Sequence, residues 1–251
     1  MNLRRATAKA PGRRDDHRGE DSVTRTTSGL AGSLPTWAIV TVAVLVVAAI
    51  VVFAVRGSGT RLRAGSGVPA IDAASAQVVR DNSHRLSEAP GSKATFVAFL
   101  DFECGACRES YPVVEQLREE YAGRVTFVVR YFPVHSHINA MRAARAVEAA
   151  AQQGQLEVMY QRMYATQEEW GGKQVPADDT FRGYAVDLGL DLTTWDAVYN
   201  DNLTIDRVNL DVADGRALGV DSTPSFFVNG QRIQPGSLDD LSTALDVALT
   251  E

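Results

Sequence analysis

Apolar residues along this chain fall into runs of several kinds, and each kind predicts a different element. Trp37 to Val55 is an unbroken stretch of 19 uncharged residues rich in Val, Ala and Ile. As a helix rising ~1.5 Å per residue it reaches roughly 28 Å, close to the ~30 Å of a bilayer's hydrocarbon core, so a single transmembrane helix is expected. Thr95 to Phe102 and Val125 to Phe132 are shorter, β-rich runs of strand length. Between them Val114, Leu117 and Tyr121 recur at helical spacing until Gly123. Strand, helix, strand with a crossover of this length predicts a parallel βαβ unit. Helical patterns follow at Ala140 to Gln153, Leu156 to Glu169, Asp179 to Leu188, Leu192 to Asn200 and Leu203 to Leu218, with Gly154 and Gly219 as stops. None of these segments brings a catalytic constellation, so they read as a helical cap. The chain then returns to β: Ser225 to Val228 and Gln231 to Gln234 flank Asn229-Gly230, the dipeptide of a type I′ hairpin turn. Ser237-Leu238-Asp239-Asp240 resembles a capping box and predicts a last helix to about Leu249.

The polar stretches divide the chain. Residues 1–36 mix seven Lys and Arg with Ser, Thr, Gly and acids, lack apolar periodicity, and are expected to be a disordered tail. Residues 37–55 are the membrane helix, 56–70 a Gly/Ser/Arg-rich flexible tether, and 71–251 the folded domain. Within that domain Ala70 to Arg80 reads as a helix or short strand, and Ser83 to Ser92 as a loop carrying a solvated His84. A cleaved signal peptide is the rival to an anchor. The tail is long for an n-region, the apolar run exceeds the usual ~7–15 residues, and no A-x-A site follows, so the anchor is favoured. Seven basic residues precede the run and Arg56, Arg61 and Arg63 follow it, which favours the N-terminus inside. Within twenty residues, however, Arg18 and Arg25 face those three, and close-range charge does not decide.

A net charge of −6 and a pI near 5.3 give no reason to expect nucleic-acid binding. The chemistry concentrates in the only two cysteines, Cys104 and Cys107, set as C-x-x-C where an apolar run meets a helical pattern. Two sulfurs at this spacing on a helix start lie on one face, close enough to close a small disulfide ring. Cys104, at the helix mouth, meets unpaired N–H groups and the positive end of the dipole, so it is expected to be the attacking thiolate. Cys107, one turn in, is expected to be more buried and to resolve the mixed disulfide. Gly105 and Ala106 keep the tip small. Glu103 opposes the thiolate and Arg108 supports it, so these modulators roughly cancel. Zinc would need two more ligands from His17, His84, His135 and His137, whose spacing does not fit, and Arg108 in place of His excludes haem attachment. No metal or other cofactor is expected. A static disulfide is disfavoured by the strand-to-helix context.

With Thr223-Pro224 just before the hairpin, the order βαβ, helices, ββα resembles the thioredoxin fold. The stretches FLDFECGACR, YFPVHSHINAMRAARAVEAA and GVDSTPSFFVNG resemble the DsbA-like branch of thioredoxin-fold thiol-disulfide oxidoreductases. The resemblance implies an α/β thioredoxin-like fold with a helical insertion at about 137–218, preceded here by a single transmembrane helix. It also implies Cys104 as nucleophile, Cys107 as resolving thiol, and a cis Thr223-Pro224 bond that presents the Thr223 backbone to an extended substrate peptide. This sequence departs from the pattern twice. A buried carboxylate six residues before the first cysteine is replaced by Ala98, for which Asp101, Glu103 or solvent could substitute. The dipeptide also lacks the His of strong oxidants, which implies a weaker oxidant. His137, in an FP..H..A stretch that looks like the family pattern, is expected to cap the helix starting near Asn139, with a direct redox role as the alternative.

A dithiol held at a membrane by one helix is most useful on the oxidising face. The expectation is therefore a single-pass, extracytoplasmic oxidoreductase acting on exported cysteine-containing proteins. A membrane redox partner, either a quinone-linked reoxidase or an electron donor, would close its cycle. A reductase or isomerase of the same fold, and a non-catalytic binding module, are the alternatives.

Overall fold

Alternation with period two along the central strands organises the domain, because both faces of the sheet are buried. The protein is represented by a computed structural model that describes residues 68–251; the expected tail, membrane helix and most of the tether lie outside the described residues. Among the described residues no helix is long and apolar enough to cross a membrane. The strands are β1 (His84–Ser87), β2 (Ala94–Leu100), β3 (Val125–Tyr131), β4 (Ser225–Val228) and β5 (Gln231–Ile233), in the sheet order β1-β3-β2-β4-β5. β2 and β3 run parallel in unbroken register from Ala94 opposite Val125 to Leu100 opposite Tyr131; the other pairs are antiparallel.

Helix α1 (Gly105–Glu120) makes the crossover from β2 to β3. Its Val114 and Leu117, with Tyr121 behind them, join Phe96, Ala98, Phe127, Val129, Phe226 and Val228 in the larger core on one sheet face. Helices α2 (Ala140–Ala151), α3 (Leu156–Ala165), α4 (Gln167–Trp170), α5 (Asp178–Asp187), α6 (Leu192–Asn200) and α7 (Asn202–Ala217) fill the connection from β3 to β4. The expected single helix from Leu156 to Glu169 is divided at Thr166, where the backbone leaves helical geometry. The terminal α8 (Leu238–Thr250) carries the expected capping box, with Ser237 and Asp240 exchanging side-chain bonds to each other's N–H. The hairpin turn has φ of 47° at Asn229 and 82° at Gly230, the double left-handed geometry that this dipeptide tolerates.

The opposite face carries Val97, Phe99, Val128, Phe132 and Phe227 under Val212 of α7. One residue there breaks the apolar pattern: Arg130, fully buried in β3. Its guanidinium pairs with Asp211 and Asp214 of α7, each at 2.7 Å, and donates to the carbonyls of Gln77 and Val78. Asp214 in turn accepts the Gln77 N–H and pairs with Arg80. A buried charge is tolerated only when matched in this way. Ala70 to Arg80 is neither helix nor strand: the cluster takes the backbone groups of Gln77 and Val78, and Asp72 closes a turn on Ser75. His84 likewise departs from expectation. It opens edge strand β1, and its Nε2 lies 2.5 Å from Oε2 of the buried Glu148.

Helix α7 lies on the sheet through Gly215, where a Cβ would stand 2.8 Å from two ring carbons of Phe132 and 3.2 Å from Phe99. Both rings are buried and pack edge to face, so neither can swing aside freely. Gly215→Ala is expected to destabilise the protein by roughly 1–3 kcal/mol, read as a lower denaturation midpoint with an unchanged slope.

Candidate active site

Chain reversal after β2 sets the cysteines. Asp101 accepts the Glu103 N–H on its side chain at 2.8 Å and the Cys104 N–H on its carbonyl at 3.2 Å, which tightens the turn into α1. Cys104 is the N-cap of that helix, with extended φ and ψ of −72° and 124° and no side-chain cap of its own. The first turn contains no acidic residue. The free N–H groups of the helix therefore face the sulfur instead of a carboxylate. Cys104 is half-buried and Cys107 is 1% exposed; both are free thiols here.

The two sulfurs are electrostatically unequal. The Cys104 pKa falls from an ordinary 9.0 to about 5, chiefly because the Cys107 thiol donates to its sulfur, helped by the Thr223 side chain and the backbone N–H groups of Ala106 and Cys107; burial opposes the shift. Burial pushes the Cys107 pKa well above its ordinary value, and the neighbouring Cys104 charge adds to this. Thr223 closes the site from the other side. Its peptide bond to Pro224 is cis, its carbonyl oxygen lies 3.4 Å from Cys104 Sγ, and its buried hydroxyl makes no full hydrogen bond while lowering the pKa of both sulfurs.

With a polarised dithiol facing that threonine and proline, the match to known proteins becomes interpretable: the thioredoxin family pattern covers residues 88–247, well over half the chain. The chain belongs to the thioredoxin family. Among solved structures, a thioredoxin-like oxidoreductase from Silicibacter pomeroyi is 26% identical, with a TM-score of 0.58 over 68% of this chain and 95% of the other. Wolbachia pipientis alpha-DsbA1 shares the fold at 16% identity, with a TM-score of 0.61 over 68% and 93% of the two chains. In sequence, 152 residues are 36% identical to a Na(+)/H(+) antiporter NhaA of Herminiimonas arsenicoxydans, covering 59% of this chain and 22% of that one. The chain spans less than a quarter of that relative's length.

The expected modulators take up positions that their place in the sequence does not suggest. Glu103 is buried and tied down: Oε2 accepts the Asn139 N–H at 2.5 Å and Oε1 the Gly172 N–H at 3.1 Å. Arg108 pairs with Glu168 of α4 on the surface. The charges of Glu103 and Arg108 are not among the main causes of the Cys104 shift; its neighbours' donors are. His137 does not cap α2, whose N-cap is Asn139; its Nδ1 lies 2.6 Å from Asp101 Oδ2 instead. Ala98 is buried in β2 and has no ionisable group. Among the described residues no cluster of His, Cys, Asp or Glu is arranged to hold a metal ion.

The insertion does more than cap. Gln167 Nε2 donates to the carbonyls of Phe102 at 2.6 Å and Cys104 at 3.0 Å, holding the backbone that presents the front sulfur. Phe102 packs on Tyr160 and Tyr164 of α3 behind that turn. A polar residue near the end of an expected helix is the available signal for this role, and it is a weak one.

Because the folded pKa of Cys104 lies below its unfolded value, the reduced protein gains stability as pH rises from about 5 towards 9 and loses it as pH falls through about 5. The oxidised form has no such group. Denaturation midpoints of the two forms are expected to diverge across that window. Alkylation near neutral pH, mapped by mass spectrometry, is expected to label Cys104 rapidly and spare Cys107.

Proposed function

We propose that this protein is a membrane-anchored, extracytoplasmic oxidoreductase that forms or exchanges disulfides in exported proteins through Cys104 and Cys107. The observation that carries the reading is the division of labour between the sulfurs, one acidic at a helix N-cap and one buried and protonated. In the oxidising direction a client thiolate attacks Cys104 of the closed disulfide, and Cys107 leaves and takes up a proton. A second client thiolate then attacks the client sulfur of the mixed disulfide, and Cys104 leaves as a thiolate. Two electrons have passed from client to protein, and a membrane redox partner must remove them.

A low Cys104 pKa makes it a good leaving group and stabilises the reduced form, which favours oxidation of the client. The value of about 5 falls between thioredoxin, near 7, and DsbA, near 3.5. That supports a weaker oxidant than DsbA, as the absence of His from Gly105-Ala106 also implies. The Thr223 backbone beside the sulfur is proposed to pair with the client main chain without reading its sequence. Anchoring is supported by the apolar run at residues 37–55.

Changing Cys107 to Ser is expected to trap client proteins in mixed disulfides through Cys104, resolved by non-reducing electrophoresis; a passive binding module would trap none. Equilibrium with glutathione separates the directions, since a potential near that of thioredoxin would make the protein a reductase. Labelling of intact cells with a membrane-impermeant thiol reagent is expected to reach Cys104 once the couple is reduced.

A further inference from the structure

Asp101 stands three residues before Cys104, and both of its oxygens are committed. Oδ1 accepts the Glu103 N–H, while Oδ2 accepts the Val134 N–H at 2.9 Å and meets His137 Nδ1 at 2.6 Å. The carboxylate is fully buried, whereas 34% of the His137 side chain is exposed. The pair thus runs from beneath the cysteine turn to the wall of an open cavity of about 650 Å³ lined also by Pro133, His135, Met141 and Arg216. Asp101 holds the imidazole with its side chain and the Cys104 N–H with its carbonyl.

We propose that Asp101 and His137 act as one positioning pair whose shared proton stabilises the Cys104 thiolate and so tunes the redox potential of the couple. The proposal deepens the oxidoreductase reading and rests on it. With its proton the pair is neutral overall; without it, a bare carboxylate lies beneath the turn and opposes the thiolate. The charged and titratable groups facing His137 are Asp101, Glu103 and Cys104 on the turn, His135 on its own loop and Arg216 of α7; Tyr164 of α3 faces Asp101. Burial disfavours the imidazolium, but Asp101, Glu103 and the Cys104 thiolate together hold the His137 pKa above its ordinary 6.5. Coupling between two sites is mutual, so a thiolate that favours the imidazolium is favoured by it to the same extent. Neither His137 nor Asp101 is among the main causes of the Cys104 shift, so the pair's contribution is a tuning effect. It is present below the His137 pKa and fades as pH rises through it.

The test uses the full-length protein in detergent, comparing wild type with His137→Gln and His137→Lys. Thiolate absorbance reports the Cys104 titration, and equilibrium with glutathione reports the potential, each over a range of pH. His137→Gln is expected to raise the Cys104 midpoint and shift the equilibrium toward the disulfide by roughly three- to tenfold, at most about 30 mV. The difference should vanish at high pH, while His137→Lys keeps the low midpoint throughout. A merely structural His137 would move thermal stability and neither of these readouts. An unchanged midpoint and equilibrium in His137→Gln, with disulfide exchange intact, overturns the proposal and leaves the oxidoreductase reading standing. A wild-type couple that does not exchange with glutathione overturns both.

Discussion

Cys107 is buried where a negative charge cannot be accommodated, and the molecule's chemistry follows from that constraint. The proton stays on Cys107, its S–H points at Cys104, and the charge is forced onto the sulfur that solvent and clients can reach. Secondary structure supplies the rest. The Cys104 sulfur stands at the mouth of α1, where a helix has N–H groups without partners, and the turn from β2 fixes the angle at which they meet it. Burial and helix polarity act on two atoms three residues apart and drive their pKa values in opposite directions.

The two-faced sheet makes this arrangement rigid. Strand β2 is central, with β3 on one side and β4 on the other, so the turn it feeds inherits two fixed neighbours: the loop after β3 that carries Val134 and His137, and the entrance to β4 that carries Thr223. Three separate parts of the chain converge on the cysteines because parallel pairing of β2 and β3 brings their C-terminal ends together. Ligand sites gather at that edge of open α/β sheets for the same topological reason.

Much of this is legible in the residues. Apolar runs of strand length, glycine stops, the Asn229-Gly230 turn and the Ser237 cap are local signals, and the strands, hairpin and final helix they mark are present to within a residue or two. The dithiol is legible because C-x-x-C between a strand and a helix suits few chemistries besides thiol exchange. What escapes a reading of the sequence is the set of bonds between distant residues, which leave no local signature. Glu103 finds its donors 36 and 69 positions along the chain, and Arg130 hides in a run that otherwise reads as a buried strand. His84 reads as a loop residue because a four-residue edge strand of mixed polarity has too short a pattern to stand out. His137 reads as a cap because a helix starts beside it, whereas its partner lies across the turn.

The bonds from Gln167 to the Phe102 and Cys104 carbonyls bear on how portable the redox motif is. Cys-Gly-Ala-Cys grafted onto a minimal thioredoxin scaffold would arrive without that amide, and without the Asn139 and Gly172 donors that steady Glu103. The tetrapeptide names the reaction; the helices inserted far downstream determine how the reactive backbone is held.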